Sequence, residues 1–333
     1  MTAFLLPVLL ATTLVATMLA GPKLVQAAAP ALMRAPCAAI ALLLGAVALW
    51  LMASAALSLM LAWMFTGPAI LPETITGVCQ RCIAAATPFP STGVVATVIP
   101  SAILIFLPAL ALAALVAVAV VRGLRRGRAT AATARDIAAR AQRASLHGQR
   151  VLVIRDRHPT AFSLPQHHGG IVISDTLIAA LRTEELVAVL AHEHEHVRGH
   201  HHLIHAALDV VVAPLRWLPL MAAVINAVPH YLEIAADDAA RRSVGTPALA
   251  SALLKLGEPQ VGIAAQPDRH TVGALLHAAG PNRIGHLITP PSIRTAIAPI
   301  AALGAVATVF AVVATAVHGP YLYVLAAGCH IPL

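Results

Sequence analysis

The chain has 333 residues, 59% of them hydrophobic and 11% charged, with a net charge of +8 and a mean hydropathy of +0.82. A soluble domain carries about 25% charged residues, so a purely soluble enzyme, a disordered tail, a collagen and a small disulfide scaffold are all excluded. Most of this apolar surface requires lipid, and the basic excess fits cytoplasmic loops better than a nucleic-acid footprint.

A membrane-spanning helix needs about 20 mostly apolar residues. Residues 2–20 precede the first charge, Lys23. They lack the basic residue that opens a signal peptide, so they are expected to stay as a span despite the cleavage-like VQAAA at 25–29. A second span is expected from about Cys37 to Phe65. A third is expected from near Gly93 to Arg122, kinked at Pro100 and Pro108, and a fourth from about Ala296 to Val317. Lys23 and Arg34 lie between spans one and two, and eight arginines from Arg122 to Arg150 follow span three. The loop 66–92 holds only Arg81, and the tail holds no Lys or Arg. Both termini are therefore expected outside, with 21–36 and 122–295 inside. The domains expected are a three-span unit over 1–121, a cytoplasmic unit over 122–295, a fourth span over 296–318 and a short tail over 319–333.

This topology puts Cys79, Cys82 and Cys329 outside. There the C-x-x-C of GVCQRC is expected to form a disulfide, within the pair or to Cys329, rather than half of a zinc site. Cys37 is expected to be a buried small apolar residue.

The soluble segment opens with 129–144, expected as a helix or a juxtamembrane linker. VLVIRD (151–156), AFSLP (161–165) and IVIS (171–174) read as strands. Asp175 or Thr176 is expected to cap a short helix, and a second helix is expected from Thr183 to His202, with Glu184 and Glu185 in its first turn where the dipole favours them. Strands followed by helices predict an α+β domain.

That second helix carries AHEHEHVRGHHH, and within it His192, Glu193 and His196 make H-E-x-x-H. Residues i and i+4 share one helix face, so both imidazoles can meet one Zn²⁺. Glu193 sits beside the metal, where it can take a proton from a zinc-activated water and deliver it to the leaving amine. A His-rich helix can also be a loose metal store or a solvated face. Two features favour the catalytic reading: the apolar run ELVAVLA that precedes the motif, and a downstream ligand candidate. That candidate is YLEIAADDAARR, in which Glu233 and Asp237 lie one turn apart. Glu233 is expected as the third ligand rather than a surface partner of Arg241 or Arg242. Asp237 is expected to hold a ligand histidine from behind. For His194, His200, His202 and His205, solvent or core packing is favoured over a second metal site.

H-E-x-x-H followed by E-x-x-x-D resembles the membrane zinc peptidases called gluzincins, and 161–203 looks like the BlaR/MecR-type peptidase domain. The resemblance implies a polytopic helical protein of about four spans with a mainly helical zincin domain bearing a small β-sheet. It implies Zn²⁺ held by His192, His196 and Glu233, Glu193 as base, and His201 as a supporting residue. It implies that AFSLP lines the cleft as an edge strand to which an extended substrate adds. It also implies a bacterial plasma-membrane enzyme that cleaves a cytoplasmic protein, in that family often a DNA-binding repressor, and cleaves itself. No S-x-x-K motif follows the last span, so sensing by acylation within this chain is not expected. Residues 203–228 are apolar enough for a fifth span, which would part Glu233 from His192. Asp209, Pro214, Arg216 and Pro219 predict a buried or membrane-dipping hairpin instead. The competing expectations are an HtpX-like quality-control protease and a non-enzymatic zinc-binding membrane protein. Direct nucleic-acid binding is not expected.

Overall fold

A computed structural model describes residues 5–66 and 101–257, together with positions 301, 304–305, 308–312 and 315–316. Two apolar helices come first, α1 (Leu5–Leu32) and α2 (Pro36–Thr66), joined by a tight turn that contains Arg34. Among the described residues they are the two helices long and apolar enough to cross a membrane, over Pro7–Leu32 and Pro36–Ser58. Threonine hydroxyls are satisfied within α1, as exposed Thr12 and buried Thr17 donate to carbonyls one turn before them.

The third expected span falls partly on described residues. There α3 (Ser101–Arg140) runs uncharged to Val121 and continues without a break through the arginine-rich stretch. The segment 129–144 is thus helix rather than linker, but only as far as Arg140. Of the fourth expected span, described residues are helical, and Phe310 is buried against Leu10, Leu14 and Ala53. The loop 66–92, with Cys79 and Cys82, and the tail with Cys329 lie outside the described residues, so the expected disulfide does too. Cys37 is exposed, not buried as expected: it stands in the first turn of α2, on its outer face.

The sheet has four strands in the order β1-β2-β4-β3: β1 (Gln142–Leu146), β2 (Gln149–Ile154), β3 (Ala161–Ser163) and β4 (Ile171–Ser174). β1 was not expected. Its signal is His147–Gly148, a two-residue hairpin loop in which both residues have positive φ, at 48° and 80°. That is the backbone a type I′ turn requires, and it pairs Leu146 with Gln149. β2 and β4 run parallel, and β3 returns antiparallel on the far side of β4, so β3 is an edge strand.

The two faces of the sheet are covered by different helices. Leu152 and Val172 pack towards Ala134 and Ile137 of α3. Val151, Ile171 and Ile173 pack towards α4 (Asp175–Ala180) and α5 (Thr183–Arg198). The cap of α4 is Ser174, whose hydroxyl accepts from the Leu177 N–H at 3.2 Å; Asp175 and Thr176 are already helical.

The expected helix to His202 breaks earlier. α5 ends at Arg198, His200 adopts a left-handed conformation at φ 51°, and α6 (His201–Ala207) starts in a new direction. Then follow a π-helical turn over Leu208–Val212, a 3-10 turn over Ala213–Leu215 and the long α7 (Pro219–Val244). α8 (Thr246–Gly257) returns over α5. The stretch 203–228 is a folded-back turn and not a crossing. Val212, Met221, Val224 and Val228 are buried together with Val25, Leu32, Ile40 and Leu43 of α1 and α2. The apolarity that suggested lipid contact here thus goes into a helix–helix core.

Candidate metal centre

α5 and α7 pack against each other, and each brings polar residues to the contact. Helical spacing puts His192 and His196 on one face of α5, and Glu233 and Asp237 on one face of α7. His192, Glu193, Glu233 and Asp237 are each less than 5% exposed. Buried ionisable groups at this density need a strong compensating interaction.

The three predicted ligand residues converge. His192 Nε2 and His196 Nε2 are 3.1 Å apart. Glu233 Oε2 is 3.6 Å from the first, and Glu233 Oε1 is 3.5 Å from the second. The last two distances end on different oxygens of one carboxylate. With one ligand atom taken from each residue, the three atoms lie within 4.8 Å of one another. A zinc with bonds of 2.0–2.1 Å needs them about 3.3 Å apart, so the carboxylate has a short way to turn to close the set. Among the described residues this is the one group of His, Cys, Asp and Glu whose ligand atoms cluster in this way. The donor set of two imidazoles and one carboxylate matches the ligands of catalytic zinc sites.

The nitrogens behind the ligands are held as well. His192 Nδ1 lies 3.0 Å from Asp237 Oδ1, an ion-pair distance at which the carboxylate favours the proton on Nδ1, so that the neutral ring would turn the Nε2 lone pair to the centre. His196 Nδ1 lies 2.8 Å from His201 Nδ1. With His196 donating and His201 accepting, the second ligand has the same tautomer. His201 can reach His196 because the chain turns at Gly199 and His200. The ring of His201 lies over Gly199 so closely that a Cβ there would be 2.6 Å from His201 Nε2 and 3.0 Å from the Glu195 carbonyl oxygen. A side chain at this position would therefore have to push the His201 ring aside, although the φ of −77° is ordinary.

The charges at the centre are coupled. Burial pulls the His192 imidazole down, but the carboxylates of Asp237 and Glu233 outweigh it and hold it up at about 10. His196 moves the other way, to about 3, through burial and the neighbouring His192 charge. His201 is pushed down to about 4, chiefly by burial, and so stays neutral. A cation held on Nε2 of His192 would have to displace the proton from that ring nitrogen.

The remaining sequence expectations divide clearly. Arg241 pairs with Asp238 at 3.0 Å and not with Glu233. His200 is exposed, and His194, His202 and His205 are half-buried. An open groove of about 820 Å³ at one end of the sheet is lined by Arg143, Arg150, His167, His168 and His194, and by none of His192, Glu193, His196 or Glu233.

Sequence reasoning missed Glu185. It was expected as a dipole-facing residue of the first turn of α5, yet it is fully buried. Its carboxylate accepts from the Arg182 N–H at 2.8 Å, from Ser251 Oγ at 2.6 Å and from Lys255 Nζ at 2.7 Å. Lys255, Ser251 and the Arg182 N–H hold it far below the usual carboxylate range. It thereby fastens α8 to the start of the helix that carries the motif. The stripe of residues 185, 189, 192 and 196 on α5 sets Glu185 on the face of the two histidines and apart from Glu184, but nothing near it in sequence points to Ser251 and Lys255 as its partners.

Residues 125–254 match Peptidase family M48. The match spans α5 and α7 and so includes His192, Glu193, His196 and Glu233. It supports a zinc metallopeptidase domain, and it does not single out the BlaR/MecR type. No curated protein and no solved structure gave a match.

Proposed function

We propose that this chain is a membrane-embedded zinc metalloendopeptidase that hydrolyses peptide bonds of proteins on the cytoplasmic side. The observation that carries the proposal is the convergence of His192, His196 and Glu233, whose ligand atoms, one from each residue, lie within 4.8 Å of one another. In this reading those three residues hold the ion. Bound zinc supplies Lewis acidity towards water and the scissile carbonyl. Glu193, adjacent to the first ligand, accepts the proton of the attacking water on its carboxylate and returns it to the leaving nitrogen. Asp237 and His201 keep the two imidazoles in the ligating tautomer. The outer edge of β3, beside α5, offers backbone groups to an extended peptide, and the edge pairing orients the scissile bond.

The four-span topology, with both termini outside and the domain inside the bacterial plasma membrane, belongs to this reading. Its support is the two long apolar helices, the uncharged run of α3 to Val121 and the arginines that follow. For the substrate, regulatory cleavage of a transcriptional repressor, accompanied by self-cleavage, is the reading the BlaR/MecR resemblance carries. A second reading, quality control of membrane proteins, is favoured by the seat of α7 on α1 and α2, which keeps the centre near the bilayer. A non-enzymatic zinc binder would leave Glu193 without a role.

The test is the zinc content of the purified full chain beside a Glu193→Ala variant, with casein and self-cleavage assays on both. One zinc in each, with cleavage lowered about 10²–10⁴-fold in the variant, is the expected result. Zinc in both with cleavage by neither would favour the binding-protein reading. The absence of stoichiometric zinc would overturn the site assignment.

A further inference from the structure

The turn between α6 and α7 lies on the path from ligand-bearing α5 to ligand-bearing α7, and two independent contacts fix its level against the apolar helices. On α3 the uncharged run ends at Val121. The next residue, Arg122, donates from Nη1 to the Asp209 carbonyl oxygen at 3.3 Å, and Arg126 forms an ion pair with the Asp209 carboxylate. On α1 the uncharged run ends at Pro22, before Lys23. There Leu220 covers Gly21 so closely that a Cβ would lie 2.6 Å from Leu220 Cδ1. Each contact falls where an apolar helix meets its first Lys or Arg, which is the cytoplasmic edge of the hydrocarbon in the proposed topology. Asp209 and Leu220 therefore lie at the same depth, and the residues between them run along that boundary.

The side chains on this turn divide by environment. Val212 and Leu218 are buried against the core of α1, α2 and α7. Arg216 and Trp217 point away from it, and Trp217 is 75% exposed, the most exposed large apolar side chain among the described residues. A tryptophan whose ring is apolar and whose N–H is polar gains most at the headgroup level, and an arginine beside it matches the anionic phosphates.

We infer that the 209–220 turn rests in the inner-leaflet boundary, with Trp217 embedded among headgroups and upper acyl chains and Arg216 at the phosphates. The turn is then a lipid anchor that holds the peptidase domain down on the bilayer. The inference rests on the membrane reading above, and its test separates the two.

The full chain is reconstituted in nanodiscs of phospholipid brominated near the ester end of the acyl chains, near the methyl end, or not at all. Tryptophan quenching is compared between the native chain and Trp217→Phe. Trp50 and Trp63, the other two tryptophans, are common to both, so the difference reports Trp217. The expected result is a component quenched by shallow bromine and little by deep bromine, which is lost in Trp217→Phe. Trp217 fluorescence quenched by aqueous iodide and not by bromine would overturn the inference and leave the membrane reading standing. Quenching by neither would also overturn it, since the ring would then be covered by protein, such as a second copy. Release of the chain from membranes by an alkaline carbonate wash would remove the membrane reading, and the inference with it.

Discussion

His192 and His196 present Nε2 to the centre because their Nδ1 atoms are engaged, by Asp237 at 3.0 Å and by His201 at 2.8 Å. Partners of this kind set ring orientation and basicity, and losing one costs about 10–100-fold in metal affinity. Asp237→Ala is expected to weaken zinc binding by about that factor, read by competition with a chromogenic chelator. Gly199→Ala should weaken zinc by a comparable factor, although residue 199 contributes no ligand. The added methyl has only the His201 ring and the Glu195 carbonyl to displace, and moving the ring frees His196. A Gly199→Ala variant with native zinc affinity would mean that His201 does not position His196. His201→Ala should reproduce the Gly199→Ala affinity, and combining the two should add little, because both act on the same contact.

At the scale of elements, the centre joins α5 to α7, and Glu185 joins α5 to α8. An ion that binds only the folded state adds about 4 kcal/mol when its free concentration is 1,000 times its Kd. A chelator is therefore expected to lower Tm in the native chain, and to lower it much less in a His196→Ala variant that has already lost a ligand. The Glu185 link answers to acid. Its carboxylate is depressed in the folded protein, chiefly by Lys255 and then by Ser251 and the Arg182 N–H. Such a group stabilises the fold above its unfolded pKa, about 4.3 for Glu, and that contribution is lost as pH falls below it. Tm should accordingly drop below about pH 4.3. In Glu185→Gln it should start lower at neutral pH and fall less steeply with acid. Equal slopes for the two chains would show that other carboxylates govern the acid limb.

For the molecule as a whole, the centre and the apolar helices form one body, because α7 carries Glu233 and also packs on α1 and α2. From Leu220, level with Gly21, to Glu233 is 13 residues of helix, at most about 20 Å at 1.5 Å per residue. An extended peptide covers that distance in about 6 residues. A substrate tethered by its own span is thus expected to be cut when a linker of about 6 residues or more separates the span from the scissile bond, and to resist cutting when the linker is shorter. A series of single-span reporters with graded linkers in the same nanodiscs measures this. Cleavage independent of linker length would mean that the domain stands free of the bilayer.

The sequence alone determined what short-range periodicity controls. His192 and His196 share a face because four residues make one turn, as do Glu233 and Asp237. The strand IVIS, the first three residues of the expected strand AFSLP and the apolar length of α2 were legible for the same reason, whereas α1 runs on as helix to Leu32, well past the end expected at residue 20. Several features were decided by tertiary structure. The return of 203–228 against α1 and α2 put Glu233 on the side of His192, although its hydropathy alone suited a crossing. The break at Gly199 and His200 swung His201 behind His196, where an uninterrupted helix would have carried it away. Glu185 became a buried anchor only because α8 brought Ser251 and Lys255 to it. Hydropathy and helical period are properties of neighbours along the chain. The partner of a buried charge depends on elements far away in sequence, which come together only when the chain packs.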